Sequence, residues 1–141
     1  GSALRFSHVG DSRIYLLRAG RLYQLTRDHS VGQAMIDAGL SDPDQVRQSS
    51  MRGVLTRALG VEPSVQPDYG EFELAGGDRL LLCSDGLTDM VADEQIVRIL
   101  SRDAGSAELA QDLVDRALAQ GGFDNVTALV LKVPGLPVSR K

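Results

Sequence analysis

Three aspartates sit in short turn-forming segments: Gly10-Asp11-Ser12-Arg13, Ser84-Asp85-Gly86-Leu87 and Gly121-Gly122-Phe123-Asp124-Asn125. Asp85 follows the apolar run 80–83, and Asp124 precedes the apolar run 126–131. A carboxylate that abuts a buried strand needs a partner, because desolvating an unpaired charge is costly. Three converging carboxylates repel one another and take up protons unless a cation compensates them. The pattern points to an all-oxygen site for a divalent ion, and hard ions such as Mg²⁺ or Mn²⁺ suit carboxylates and water. Each turn also has a plainer reading. Asp85 serves equally as the cap of a short helix after its strand. Asp124 belongs to a helix-stop glycine pair followed by an Asn turn, with Asn125 placed to orient it by hydrogen bonding. Asp11 has Arg13 within its own turn as an ion-pair partner.

No side chain stands out as a nucleophile. An aspartyl-nucleophile pattern needs a second Asp two residues before Asp85, and Cys83 occupies that place. Cys83 lies inside an apolar run and reads as a small core residue. His8 and His29 are the two histidines, and both read as structural hydrogen-bonding groups rather than catalysts.

With 141 residues the chain is sized for one domain with a sizeable core. A formal net charge of -4 and a pI near 5.1 argue against a general nucleic-acid binder. Arg47, Arg52 and Arg57 form a local basic group that reads as a solvated face or, alternatively, as a guide for an anionic substrate. A single cysteine excludes an internal disulfide and fits a reducing, cytoplasmic setting. No apolar run approaches the roughly 18 residues that span a bilayer, so no membrane partner is expected.

Strand patterns run over 3–9, 13–17 and 22–26, with Arg18-Ala19-Gly20-Arg21 as a hairpin turn. Ser30 and Gly39 bracket one helix, and Asp42-Pro43 starts a second. Residues 28–53 therefore read as a helical flap, and 53–59 as a return to extended chain. Residues 65–74 read as two short strands broken at Pro67 and Gly70. The strand at 79–83 is apolar on both faces and reads as central. Asp93 and Ser106 are placed to cap two further helices, and a last strand runs to Val133. The domain spans 3–133; 134–141 reads as a linker or frayed tail. This order suits a layered α+β domain.

Taken together, Val9-Gly10-Asp11-Ser12-Arg13, Asp28-His29-Ser30, Leu55-Thr56-Arg57-Ala58-Leu59-Gly60, Gly77-Asp78, Leu82-Cys83-Ser84-Asp85-Gly86-Leu87 and Gly122-Phe123-Asp124-Asn125-Val126-Thr127 make the chain resemble the PPM family, the phosphatase 2C-like metal-dependent serine/threonine phosphatases. The match runs over nearly the whole sequence, and bacterial members are the most similar. The resemblance implies a β-sandwich flanked by helices. It implies Mn²⁺ or Mg²⁺ as cofactor, with two core ions and a third, weaker one. It also implies metal ligation by Asp85 and Asp124 at core ions and by Asp11 at the third, and a phosphoprotein as substrate. In such a centre, paired ions polarise a water that attacks phosphorus directly, so no side-chain nucleophile is needed. The family's general-acid candidate maps onto neither His8 nor His29. The family's Asp-Gly-x-Gly-Gly segment is not found in the sequence, and Gln48-Ser49-Ser50-Met51-Arg52-Gly53 differs from the His-Pro-containing flap stretch. The expectations are therefore a C-terminal part of the phosphatase domain, weak or no turnover by this chain alone, and self-association or strand exchange through uncovered sheet edges. A noncatalytic regulatory or scaffold domain of the same fold is the alternative.

Overall fold

The computed structural model describes residues 2–135. The tail expected at 134–141 thus lies mostly outside the described residues. Strand β1 (Ser2–His8) pairs antiparallel with β4 (Asp68–Leu74) in a two-stranded sheet. The second sheet has four antiparallel strands in the order β3-β2-β5-β6, where β2 is Arg13–Arg18, β3 is Arg21–Gln24, β5 is Arg79–Cys83 and β6 is Ala128–Lys132. The β2–β3 turn uses Ala19 and Gly20, both at positive φ (49° and 74°). That geometry matches the twist of a two-residue hairpin.

β4 is one continuous strand, where two fragments broken at Gly70 were expected. Gly70 lies opposite Phe6, and a Cβ there would fall 2.2 Å from the Phe6 ring. The glycine makes room for an aromatic ring on the partner strand, which is a cross-strand contact and not a break.

Two layers of side chains come from the four-stranded sheet. Tyr15, Leu17, Leu81, Cys83 and Val130 face the helices α3 (Asp85–Thr88), α4 (Asp93–Leu100) and α5 (Ser106–Ala119), and pack with Leu87, Ile96, Leu100, Leu109 and Leu113. The opposite face carries the cross-strand row Leu16, Leu80 and Leu131. Leu16 is 0% exposed and Leu80 2%, but Leu131 is 46% exposed. This face is covered at β2 and β5 and open at β6.

The stretch between β3 and β4 is helical. α1 (Val31–Asp37) is capped by the Ser30 side chain and closes with Gly39 at φ 71°. Bonds from Gly39 N–H to Ile36 O and from Leu40 N–H to Met35 O complete the stop. α2 (Pro43–Gln48) begins with a capping box between Asp42 and Gln45. A one-turn 3₁₀ helix follows at Ser50–Gly53. Beyond it the chain does not form the extended element expected at 53–59; Leu55 makes an isolated bridge to Ser30. α4 and α5 also start one residue earlier than expected, with Ala92 and Gly105 as caps. Asp93 and Ser106 occupy the first helical turn, where a carboxylate still complements the helix dipole.

Candidate metal centre

Asp85 lies at the junction of β5 and α3. Residue 84 is extended and residue 85 is the first of the helix, so the strand end delivers the carboxylate to the sheet rim. The turn that carries Asp124 is locked against this junction. Ser84 N–H donates to Thr127 O (3.1 Å), and Thr127 N–H donates to Ser84 Oγ (3.0 Å). Gly86 packs directly on the Asn125 carbonyl: a Cβ at Gly86 would lie 2.1 Å from that oxygen. The glycine after Asp85 therefore exists to let the second acidic turn close in.

Asp11 follows Gly10, whose φ of 110° turns the chain sharply after β1. Arg13, its expected partner, is committed elsewhere. Its guanidinium makes a bidentate pair with Asp28 (2.9 and 2.6 Å) and a bond to the Tyr15 hydroxyl (2.8 Å). Asp11 is left without that counter-charge. Burial pushes its carboxyl up to about 6, and the neighbouring charges of Asp85 and Asp28 push in the same direction.

Asp11 and Asp85 line one cavity of about 370 Å³. Asp28, Asp89 and Asp93 also line it, and the flap contributes Arg47 and Arg52. Asp124 is not among the cavity walls. It sits on the exposed adjoining turn, its Oδ1 accepting the Asn125 backbone N–H (2.7 Å), and its charge still acts on Asp89. Asn125 thus hydrogen-bonds to Asp124 through its backbone N–H. Burial first, then the charges of Asp85 and Asp124, raise Asp89, with Arg52 opposing. The carboxylates of Asp11, Asp85 and Asp124 are not gathered into a three-ligand cluster. Among the described residues, the three-residue group of possible ligands that comes within 4.8 Å is His8, His29 and Asp68.

The donor set of the cavity is carboxylate oxygen, which fits a hard divalent ion; such an ion would offset both the burial and the neighbouring negative charges that raise Asp11. Cys83 does not contribute. It is buried, and desolvation pushes its thiol up to about 12.

No motif in the sequence singles out Asp89, which also lines the cavity. Its signal was spacing: Asp85 and Asp89 are four apart, which places both on one helical face once α3 is known to be a helix. The basic group divides. Arg47 and Arg52 line the cavity, whereas Arg57 pairs with Asp68 (2.9 Å) and does not.

The family description "Stage II sporulation protein E (SpoIIE)" matches residues 3–134. The chain is 37% identical over 128 residues to protein phosphatase PhpP of Streptococcus pneumoniae, covering 91% of this chain and 52% of that protein. It superposes on the crystal structure of the Mycobacterium tuberculosis serine/threonine phosphatase PstP/Ppp with a TM-score of 0.89 at 42% identity, covering 95% of this chain and 56% of the other. A structure of the PstP catalytic domain in complex with two manganese ions matches with a TM-score of 0.82 at 42% identity, covering 92% and 53%. The chain spans about half the length of these relatives. The β-sandwich flanked by helices is thus that of a known group: the chain belongs to the SpoIIE family, within the PPM (phosphatase 2C-like) serine/threonine phosphatase family.

Proposed function

We propose that this chain contributes to metal-dependent hydrolysis of phosphoserine and phosphothreonine in proteins. The observation that carries this is the meeting of Asp11 and Asp85 in one cavity, with no basic partner for Asp11 among the described residues and its carboxyl raised to about 6, chiefly by burial. Asp85 and Asp124 would hold core Mn²⁺ or Mg²⁺, and Asp11 a further ion. Bound there, such an ion supplies Lewis acidity to a water and to the phosphate oxygens.

The chain's own residues do the rest. The Ser84–Thr127 bonds keep the two acidic turns in register. Arg13 holds Asp28 at the cavity wall. Arg47 and Arg52 bring positive charge to the rim, which favours an anionic substrate over a neutral one.

The relatives named for phosphatase activity are about twice as long. The cavity supplies part of the ligand set, and turnover by the isolated chain is weak. The uncovered β6 face, with Leu129 49% and Leu131 46% exposed, supports self-association or strand exchange. No helix among the described residues is long and apolar enough to cross a membrane, and the lone reduced cysteine fits a cytoplasmic setting. The same openness favours a second reading, a noncatalytic phosphatase-like scaffold.

Hydrolysis of a phosphothreonine peptide by the full-length polypeptide with Mn²⁺ distinguishes the two. Turnover that collapses by about a hundredfold or more in Asp85→Asn supports the enzyme. Turnover equal in the variant and the wild type supports the scaffold.

A further inference from the structure

The two histidines take no part in the chemistry above, yet both are buried beside Asp11. His8 ends β1, and its Nε2 lies 2.8 Å from the Ser12 carbonyl. A carbonyl oxygen only accepts, so Nε2 carries the proton. That leaves His8 Nδ1 as a buried lone pair without a partner. Burial lowers the His8 pKa, against the opposing bond to the Ser12 carbonyl.

His29 grips the other side of the turn twice. Its backbone N–H donates to Gly10 O (2.9 Å), and its ring Nδ1 accepts the Gly10 N–H (3.1 Å). An accepting Nδ1 puts the ring proton on Nε2, which donates to Asp68 (2.7 Å). Arg57 holds Asp68 in turn (2.9 Å). The two rings lie with centroids 4.8 Å apart. Asp11 is therefore bracketed. The residue before it is held at both its N–H and its C=O, and the residue after it at its C=O.

A cation between His8, His29 and Asp68 is the competing use of these groups. Coordination through His29 Nε2 would send the ring proton to Nδ1, where it would face the Gly10 N–H. Two donors would then point at each other, so the existing bonds speak for a mechanical role.

We infer that His8 and His29 are positioning residues: together they hold the Gly10–Ser12 turn so that the Asp11 carboxylate is presented to the cavity it shares with Asp85. Gly10 needs such a clamp, because a glycine at φ 110° has no side chain to fix its conformation. The carboxylate of Asp68 selects the His29 tautomer, in the way a carboxylate orients a histidine in a metal site. The link to function rests on Asp11 as a cation ligand; the clamp itself does not.

The test uses ¹⁵N NMR on the intact chain, with Mn²⁺ as the added ion. Wild type should show His29 as the Nε2–H tautomer and a protected Gly10 amide. His29→Ala should speed Gly10 amide exchange by about five-fold, one neutral hydrogen bond's worth, and weaken Mn²⁺ broadening at the Asp11 amide. His29→Asn should recover both, since its side-chain oxygen can accept from Gly10 N–H in place of Nδ1. Gly10 protection unchanged in His29→Ala, or no recovery in His29→Asn, would overturn the inference. Should His29→Ala not fold, Asp68→Ala decides. A mixed His29 tautomer with faster Gly10 exchange supports the clamp, and a wild-type ring signature with wild-type exchange sinks it. Absence of Mn²⁺ broadening in wild type would count against the cation reading alone, because the amide and ring signals report the clamp without metal.

Discussion

Gly86 and Asn125 touch through their backbones, and this contact joins the turn bearing Asp85 to the turn bearing Asp124. A methyl group at position 86 would stand 2.1 Å from the Asn125 carbonyl oxygen and 3.0 Å from its carbon. Both atoms are main chain and cannot swing away. Gly86→Ala should therefore lower stability by about 2 kcal/mol and weaken Mn²⁺ binding by separating the two acidic turns. Thermal unfolding and an Mn²⁺ titration check it; wild-type behaviour in both would show that the turns are not coupled here.

Asp11 gives a pH signature. Its carboxyl, ordinarily near 3.8, is raised to about 6 by burial and by the charges of Asp85 and Asp28. The folded chain thus binds the proton more tightly than the unfolded chain. The associated stability is fully present below pH 3.8 and is lost as pH rises through about 6. With chelator present, Asp11→Asn should show a flatter fall in melting temperature across this window than wild type. Identical slopes would mean the Asp11 carboxyl is not raised.

The Arg18–Asp78 pair has the opposite sign. Asp78 accepts from Arg18 at both oxygens (2.8 and 2.6 Å) and from Ala75 N–H (2.8 Å), and its side chain is only 2% exposed. The Arg18 guanidinium holds its carboxyl below the usual value, against the effect of burial. Stability from this group is present above about pH 3.8 and is lost as pH falls through the depressed value. Asp78→Asn should cost about 3 kcal/mol at neutral pH, with a shrinking deficit in acid. Denaturant unfolding at pH 7 and pH 3 measures both; an equal deficit at the two pH values contradicts the assignment.

Cys83 should be chemically silent. Its thiol is 4% exposed and pushed up to about 12 by burial. A disulfide reagent at pH 8 should label the chain only after denaturant is added. Rapid stoichiometric labelling of the folded chain would contradict the packing described here.

Local chemistry was legible in the sequence wherever one or two residues decide the backbone. Gly20 at the hairpin, Ser30 and Gly39 at the ends of α1, and Asp42-Pro43 at the start of α2 all do in the structure what their types dictate. Legibility failed where a distant residue decides. Gly70 looked like a strand break because nothing local reveals the Phe6 ring above it. Asp93 and Ser106 looked like caps, but the chain enters each helix one residue earlier. The turns led to the expectation that Asp11, Asp85 and Asp124 converge; Asp11 and Asp85 line one cavity, while Asp124 stays on the adjoining turn. The diversion of Arg13 to Asp28 was not legible, because that pair is set by how β2 meets the loop after β3. Arg47 and Arg52 reach the cavity only because α2 and the 3₁₀ turn fold back over it, a tertiary fact without a sequence signature.

The most direct measurement is anomalous scattering from crystals of this chain grown with Mn²⁺. An Mn²⁺ peak is expected within coordination distance of a carboxylate oxygen of Asp85, with Asp124 or Asp11 as a further ligand. Peaks only at His8, His29 and Asp68, or none at saturating Mn²⁺, would contradict it.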